Sequence, residues 1–325
     1  MFDVITIGSA SRDVFMKSGE FEIKKDSDSP TGVQQCFPLG SKLEVKDISF
    51  LTGGGGTNTA VTFVRQGYKT GIISVVGNDF AGKEIKQELE KEGVRTKMLK
   101  LVDSAKTAYS IIFIAPDGER TIFSYKGEGQ HLDIDLVNWN KLKAKWVYLD
   151  SLGGSYKFME KAVKEAKKHG AKIAFNPGGK ELSHGIEKMK PILENINLFI
   201  CNQEEAALVS GRDFEKETEI FEFMDQVIDG IFVMTKGPLG CVASDGKHIY
   251  RAGVPDSPIV ERTGAGDSFG SGFVSEYIRS EDVVKAIQFG TANSSSVVAQ
   301  IGAKAGILEK GDWGPWPLIE VKIEK

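Results

Sequence analysis

Short apolar runs alternate with longer amphipathic stretches along most of the chain. The stretch Y-K-F-M-E-K-A-V-K-E-A-K-K-H at 156–169 has apolar residues at helical spacing and is followed by a glycine, which is typical of a helix end. Further helices are predicted at 204–209 and 219–228. The apolar runs have the length of buried strands. They lie at 4–7, 71–76, 146–149, 172–175, 198–200 and 231–234. This alternation predicts βαβ units around a mostly parallel sheet.

Polar residues directly follow four of these apolar runs, at Asp150, Asn176, Asn202 and Thr235. The carboxyl ends of parallel strands meet at one edge of a sheet, and ligands bind at that edge in open α/β sheets. Polar capping of strand ends toward solvent is the alternative interpretation. Four instances in succession favour a shared site.

Two stretches depart from this rhythm, at 17–52 and 107–126. The first contains the alternating segments F-E-I-K and K-L-E-V-K-D-I-S-F, and the second is typical of a hairpin with Pro116-Asp117-Gly118 as its turn. Together they predict a small antiparallel sheet beside the main one. A lid, a dimer surface and an edge extension of the main sheet are all compatible with this pattern.

The stretch T-G-G-G-G-T-N-T-A at 52–60 follows a predicted strand and precedes a predicted helix. It is neither a P-loop, because no Gly-Lys-Ser/Thr follows, nor a GxGxxG motif. Its glycines allow a ligand to approach the backbone closely at a helix start, and Asn58 offers a donor and an acceptor to a small hydroxylated molecule. A tight turn without a ligand is the alternative.

A second glycine-rich stretch, T-G-A-G-D-S-F-G-S-G-F, places Asp267 directly after Gly264, Ala265 and Gly266. Amides at a helix start suit a phosphoryl group, whereas a carboxylate beside them repels one. The two fit together if the phosphoryl group is being transferred to an alcohol, because the carboxylate then accepts the proton of the attacking hydroxyl. A carboxylate that only stabilises the first helical turn is the simpler alternative for Asp267 alone.

The two glycine-rich stretches together resemble the paired signatures of the ribokinase (PfkB-type) carbohydrate kinase family, in the same order and separation. The resemblance covers essentially the whole chain through G-S-A-S-R-D at 8–13, V-G-N-D-F-A-G-K at 76–83, N-Q-E-E at 202–205, T-K-G-P-L-G at 235–240 and G-A-K-A-G at 302–306. It implies a ribokinase-like three-layer α/β/α fold with a mostly parallel central sheet and a small antiparallel β lid. We assign 1–16, 53–106 and 127–325 to the core, and 17–52 and 107–126 to the lid.

The resemblance also implies an ATP-dependent phosphotransferase that phosphorylates a hydroxyl of a small sugar, such as ribose, fructose or a related carbohydrate. Asp267 resembles the family's catalytic base, and Gly264, Ala265 and Gly266 resemble its anion hole. The implied substrate-binding residues are Ser11, Asp13, Gly54, Gly55, Asn58 and Asp150.

On the nucleotide side, the resemblance implies one further set of contacts. These are Asn202, Thr235, Gly237, Gly240 and Asn293. Glu205 is implied to bind Mg²⁺ through water, which suits an ion that keeps several waters and uses few protein carboxylates. Without the preceding Asn202, a carboxylate at a helix N-terminus would be the simpler interpretation of Glu205.

Three features depart from the family's pattern. Glu261-Arg262-Thr263 stands where ribokinases commonly have Asp-Thr-Thr, and the Asp is tied to a monovalent-cation site in relatives, so activation by such a cation stays open. Gly55 stands where ribokinases often have lysine, so a cationic sugar contact is missing. The segment from Asp13 to Gly53 is longer than usual, which implies an enlarged lid.

Other substrates and other classes of protein make different demands on the sequence. A nucleoside such as adenosine or cytidine needs a flat apolar slot, and a phosphorylated sugar needs cations, for which Arg12 and Arg120 are candidates. The residues that would form the slot, or else pack as the lid's own core, are Phe15, Phe37, Phe50 and Phe123. A dinucleotide-dependent oxidoreductase requires GxGxxG after the first strand, which is absent, and a non-catalytic binding protein has no need of Asp267.

Composition and charge limit the classes of partner and the cellular compartment that the sequence is compatible with. The 325 residues are 41% hydrophobic and 26% charged, as in an ordinary globular protein, and the net charge of −4 without a basic block argues against a nucleic-acid partner. The first residues lack the pattern of a signal peptide, and no apolar run approaches the ~18 residues of a membrane helix. The three cysteines form no pair motif, which fits a reducing compartment. We therefore expect a cytoplasmic protein without membrane contact, and by resemblance a homodimer formed through the lid.

Overall fold

A computed structural model describes residues 1–28, 32–115, 120–127 and 133–324. Its strands, in chain order, are β1 (Phe2–Ile7), β2 (Ser11–Lys17), β3 (Glu22–Lys25), β4 (Val33–Cys36), β5 (Asp47–Gly53), β6 (Thr70–Gly77), β7 (Arg95–Val102), β8 (Ala108–Ile114), β9 (Arg120–Tyr125), β10 (Ala144–Leu149), β11 (Lys172–Phe175), β12 (Leu198–Asn202), β13 (Ile231–Thr235), β14 (Cys241–Ser244), β15 (Ile249–Ala252) and β16 (Val321–Glu324). Its helices are α1 (Gly55–Arg65), α2 (Phe80–Lys91), α3 (Tyr156–Lys168), α4 (Gly179–Leu182), α5 (Ile186–Leu193), α6 (Gln203–Ser210), α7 (Glu217–Val227), α8 (Ala265–Ser280) and α9 (Val283–Val298).

The largest sheet of the described residues is ten-stranded, in the order β16-β15-β14-β13-β12-β11-β10-β1-β6-β7. Neighbouring strands from β13 to β7 in this order pair in parallel, and β14, β15 and β16 add an antiparallel edge. The predicted mostly parallel sheet is confirmed. Asp150, Asn176, Asn202 and Thr235 lie at the carboxyl ends of β10 to β13, which are neighbours in the sheet.

Helices cover both faces of this sheet, because its buried strands are apolar on both sides. Ile5 and Ile7 of β1 pack in one cluster with α3, α5, α6 and α7, whereas Val4 packs in another with α8 and α9. α1 and α2 extend the second layer over β6. The rings of Phe199 and Phe232 stack 6.0 Å apart in the first cluster; full burial of one such side chain contributes about 1.5–3 kcal/mol. The result is the predicted three-layer α/β/α architecture.

A second, four-stranded sheet has the order β5-β2-β8-β9, and a two-stranded arm pairs β3 with β4. The β2–β5 and β8–β9 pairs are antiparallel, as the predicted hairpin requires, while β2 and β8 run in parallel. The predicted turn Pro116-Asp117-Gly118 lies outside the described residues. β2 begins at Ser11, so the boundary that we placed after residue 16 passes through a strand of the small sheet.

Two helices begin beside each other at the carboxyl edge of the large sheet. α1 follows Gly54, and α8 follows Gly264, whose φ of 79° and ψ of 6° lie in the left-handed region that favours glycine. Farther along the pair, the Tyr68 hydroxyl that follows α1 donates to the Ser275 carbonyl of α8 at 2.7 Å. No helix in the described part of the chain is both long and apolar enough to cross a membrane.

Candidate active site

The glycine run before α1 allows two carboxylates to approach the backbone. A Cβ on Gly53 would lie 1.9 Å from Asp13 Oδ2, and a Cβ on Gly55 would lie 1.9 Å from Asp150 Oδ1. Between them, Gly54 has a φ of 91°. A lysine at position 55 would therefore collide with Asp150, which is a physical reason for the glycine found there.

Asp13 and Asp150 are both buried, with 6% and 5% of their surface exposed. Asp13 accepts from the Ser11 hydroxyl at 3.0 Å, and burial raises its pKa. Asp150 Oδ1 accepts from the Ser151 amide at 2.7 Å, whereas Oδ2 has no partner among the described residues. Burial, reinforced by the charge of Asp267, raises the pKa of Asp150 well above its usual range. An unpartnered buried oxygen of this kind suits a hydroxyl group of a ligand.

A small pocket opens between the glycine run and the inner face of the four-stranded sheet, with a volume of about 150 Å³. Its lining is dominated by hydroxyls and short side chains. The residues are Ser9, Ala10, Ser11, Gly54, Ala108, Ser110, Ser124, Tyr125 and Lys126. Ser110 and Ser124 pair across β8 and β9 in register with Asp13, so they lie on the same face of that sheet.

The start of α8 presents amides toward a larger cleft. The Ala265 N–H donates to the Arg262 carbonyl, which precedes the helix, at 3.3 Å. The next backbone N–H with an acceptor is that of Ser268, which donates to the Gly264 carbonyl at 2.8 Å. The amides of Gly266 and Asp267 have no acceptor among the described residues, as is usual for first-turn N–H groups. This is the anion-binding end of the helix.

The larger cleft has a volume of about 310 Å³ and a mostly apolar lining. It is bounded by the ends of β13 and β14, the loop that follows β15, and α8 and α9. Its residues include Thr235, Gly237, Gly240, Val254, Pro255, Ile259, Ala265, Gly266, Phe269, Thr291, Ser294 and Ser295. Ala265 and Gly266 place the start of α8 at the cleft, so three of the nucleotide residues implied by the resemblance share a cavity with two of the anion-hole residues.

Asn293 is not brought into this cleft. Its side chain is fully buried, donates to the Ser268 carbonyl at 2.8 Å and accepts from the Leu308 amide at 2.9 Å. Asn293 therefore supports α8 from behind, and Thr291, Ser294 and Ser295 of the same helix face the cleft instead.

Asp267 faces α1 and is not among the residues that line the larger cleft. Its Oδ2 accepts from Asn58 Nδ2 at 2.7 Å, across 209 residues of sequence. Burial raises the pKa of Asp267, while the Asn58 hydrogen bond and the charge of Lys304 lower it and Asp13 raises it further. The start of α8 thus lies at the larger cleft through Ala265 and Gly266, while the Asp267 carboxylate turns toward α1.

Lys304 is a site residue that sequence reasoning missed. Its Nζ donates to Asn58 Oδ1 at 2.6 Å and to the Thr52 carbonyl, and burial lowers its pKa to about 8. The G-A-K-A-G segment indicated a loop near the nucleotide, but nothing in its letters shows that the lysine turns toward Asn58 of α1.

Asn202 and Glu205 form a reciprocal cap at the start of α6. Asn202 Oδ1 accepts from the Glu205 amide at 2.8 Å, and Glu205 Oε2 accepts from the Asn202 amide at 3.0 Å. Burial raises the pKa of Glu205. Within the described residues, no three acidic, histidine or cysteine side chains converge to hold a metal. This donor set suits a magnesium ion carried mainly by nucleotide phosphates and contacted by Glu205 through water.

Glu181 is a second residue that sequence reasoning missed. It is fully buried and accepts from the amides of Leu152, Gly154 and Gly178 at 2.8, 2.6 and 2.9 Å. These bonds fix the loop that begins at Asp150.

The negative charge of Glu261, which stands where the family commonly has aspartate, is partly balanced by neighbouring groups of the chain. Its Oε1 accepts from the Thr263 amide at 2.8 Å and lies 3.3 Å from Arg120 Nε of β9. A guanidinium from the small sheet therefore supplies the positive charge at this carboxylate. The other oxygen of Glu261, Oε2, is buried without a hydrogen-bond partner among the described residues.

The two arginines considered for a substrate phosphate are both paired with carboxylates. Arg12 alternates with Asp13 along β2 and donates to Glu88 on α2 at 2.6 Å, and Arg120 faces Glu261. Neither arginine lines the small pocket, so neither is placed to bind a substrate phosphate there, whereas Lys126 does line it.

The phenylalanines considered for a nucleoside slot do not form one. Phe15 is 3% exposed and packs with the core of the small sheet, and Phe37 packs on Phe113. Phe50 and Phe123 are in register with positions adjacent to Asp13 and Ser110, so they lie on the opposite face of the sheet from the pocket.

The larger cleft ends at a helix start that combines free amides with a carboxylate, and these are groups that a phosphotransferase requires. The family described as "pfkB family carbohydrate kinase" matches residues 1–310. The chain belongs to this family and is an ATP-binding kinase.

Individual relatives carry different descriptions. The chain is 28% identical to a ribokinase of Haemophilus influenzae over 275 residues, covering 82% of this chain and 88% of that protein. It is 25% identical to a nucleoside kinase of Methanocaldococcus jannaschii over 278 residues, covering 84% and 85%. Among solved structures, a putative ribokinase II from E. coli in complex with ATP and Mg²⁺ aligns with a TM-score of 0.76 at 20% identity, covering 94% of this chain and 96% of that one.

Proposed function

We propose that the protein transfers the γ-phosphoryl group of ATP to a hydroxyl group of a small, unphosphorylated sugar. The observation that carries this proposal is the position of Asp267, which accepts from Asn58 of α1 directly after the glycine run, while Gly266, one residue earlier, lines the apolar cleft. The proposed base and the anion-binding amides therefore belong to the same first turn of α8.

The proposed reaction uses these groups in one step. A sugar hydroxyl gives its proton to Asp267 as its oxygen attacks the γ-phosphorus, and the bond to the bridging oxygen of ADP breaks in line. The amides of Gly266 and Asp267 stabilise the charge on the transferring group. Mg²⁺ bound with ATP would neutralise the phosphate charge, and Glu205 is the side chain proposed to contact it through water.

The size and chemistry of the small pocket favour a sugar over a nucleoside. Its volume of about 150 Å³ lies below the roughly 300–1,000 Å³ of drug-sized ligand sites. Ser11 and Gly54 line the pocket, and Asp13 and Asp150 lie against the adjoining glycines, where Asp150 Oδ2 is an unpartnered acceptor. Together with Asn58 and Gly55 they are the proposed contacts to the sugar. Thr235, Gly237 and Gly240, in turn, are proposed to contact the nucleotide.

The proposal is tested by a substrate panel. ADP formation is measured with ATP and Mg²⁺ for unphosphorylated sugars, sugar phosphates and nucleosides, with excess EDTA as the metal-free control. We expect kcat/KM for the best unphosphorylated sugar to exceed that of any nucleoside by about 100-fold or more, because polar sites discriminate strongly. A nucleoside as the best substrate, or turnover that persists in EDTA, would overturn the corresponding part of the proposal.

We also propose that the small sheet, as a lid, joins two copies of the chain. Its outer face is apolar yet exposed, with Ile48, Phe50 and Phe123 each about half accessible. We expect a dimer by light scattering at micromolar concentration and a monomer for Phe50→Glu. A monomeric wild-type protein would refute this arrangement, and the division into core and lid stays a prediction.

A further inference from the structure

Three side chains from distant parts of the sequence form one hydrogen-bonded chain between α1, α8 and the C-terminal loop. Lys304 Nζ donates to Asn58 Oδ1 at 2.6 Å, and Asn58 Nδ2 donates to Asp267 Oδ2 at 2.7 Å. Lysine is followed by amide and amide by carboxylate, so each of these two contacts joins a donor to an acceptor.

The lysine determines which way the amide points. An ammonium group has only donors, and an ionised carboxylate has only acceptors. With the Asn58 amide reversed, its NH₂ would face Lys304 Nζ and its oxygen would face Asp267, so both contacts would become repulsive. Lys304 therefore fixes Asn58 in the one orientation that directs a proton donor at Asp267.

The position of Lys304 is itself fixed at both ends. Its own carbonyl accepts from Arg65 Nη1 at 2.9 Å, and the same guanidinium bonds the Ile307 carbonyl at 3.0 Å. Its Nζ also donates to the Thr52 carbonyl, and the Thr52 hydroxyl donates to Glu88. The ammonium group is thus held between α1 and the end of β5, and does not line the pocket.

We propose that Lys304 is a positioning residue for the base: through Asn58 it orients the Asp267 carboxylate and keeps it ionised, without touching the sugar. This inference rests on the proposed role of Asp267 in phosphoryl transfer. Lys304 of the C-terminal loop would then act on the catalytic base and not as a contact to the nucleotide.

The charges around the base give the direction of the pH effect. Asp13 of β2, Asp150 after β10 and Tyr148 of β10 surround Asp267, and Lys304 supplies the positive charge. Glu88 of α2 and Glu92, which directly follows α2, add negative charge near Lys304. Loss of the lysine charge leaves Asp267 beside like charges only, so its pKa rises further. The carboxylate would then stay protonated, and inactive as a base, up to a higher pH.

The test compares Lys304→Met with the wild type and with Lys310→Met, which removes an exposed lysine from the same C-terminal segment. Activity on the best substrate is recorded against pH, and thermal unfolding checks that each variant is folded. We expect Lys304→Met to lower kcat by about 10–100-fold with little change in KM for ATP, and to move the acid limb of kcat/KM up by about one pH unit. Lys310→Met should match the wild type.

A second variant separates orientation from charge. Lys304→Gln keeps a donor for Asn58 without the charge, so the acid limb should still move while kcat recovers in part; it also serves if the methionine variant does not fold. An unmoved acid limb in both variants, or a loss confined to KM for the sugar, overturns the inference. Asp267→Asn separates the two proposals: near wild-type turnover refutes the base and the inference together, whereas an inactive Asp267→Asn beside unaffected Lys304 variants refutes the inference alone.

Discussion

Asp267→Asn is expected to lower kcat by about 10²–10⁴-fold while ATP binding is largely preserved. The amide has the shape of the carboxylate and its oxygen can still accept from Asn58, so the start of α8 keeps its geometry. What is lost is the ability to take a proton from the sugar hydroxyl. ADP formation on the best substrate measures kcat, and calorimetry measures the dissociation constant for ATP.

The control for this experiment is Asp229→Asn. Asp229 is exposed and lies two residues before β13, at the amino edge of the large sheet and opposite the site. The same chemical change there should leave kcat and ATP affinity unchanged. Turnover by Asp267→Asn within a few-fold of this control would mean that another group accepts the proton.

The strands and helices of the core could be predicted because each depends on local pattern. The apolar runs are long enough to be buried on both faces, and Gly170, with a φ of 71°, ends α3 where the sequence placed the stop. The edge at which polar residues gather also followed from topology alone, since parallel strands share one direction. The strand β2 was harder, because its Ser11–Lys17 segment leaves the large sheet after only a short turn from β1.

The site could be predicted where its chemistry is local to one segment. A glycine run and a first-turn carboxylate are visible as letters, and the structure shows why glycine is required at 53 and 55, where the carboxylates of Asp13 and Asp150 approach. The contact between Asn58 and Asp267 joins two such segments, but the resemblance implied only their separate roles in substrate binding and catalysis.

The contacts of single charged side chains in loops could not be predicted, because tertiary packing decides which way each side chain points. Lys304 and Glu181 are charged residues in ordinary loops, and only tertiary packing directs one to Asn58 and the other to three backbone amides. Asn293 illustrates the converse. Thr291 and Ser294 on the same helix line the cleft, but the Asn293 side chain points away from it and donates to the Ser268 carbonyl in the interior.

Gly264→Ala is expected to lower both turnover and stability, for a steric reason. Gly264 has a φ of 79°, and a Cβ there would lie 2.4 Å from the Cβ of Ala303. The left-handed backbone costs an alanine about 1–2 kcal/mol, and the clash adds to it. Relief of the clash must move either the start of α8 or the loop that carries Lys304. We expect kcat to fall by about 10–100-fold, since small displacements of reacting groups are costly.

Gly246→Ala separates strain from position. Gly246 has a φ of 77° in the turn between β14 and β15, and a Cβ there would meet nothing within 4 Å. Urea denaturation should show the backbone cost of about 1–2 kcal/mol in both variants and a further loss only in Gly264→Ala. Turnover should fall only in Gly264→Ala, because Gly264 begins α8 and packs against Ala303 in the loop that carries Lys304, whereas Gly246 lies far from both. Equal kcat in the two variants would show that the start of α8 tolerates displacement and that the anion-binding amides do not set the rate.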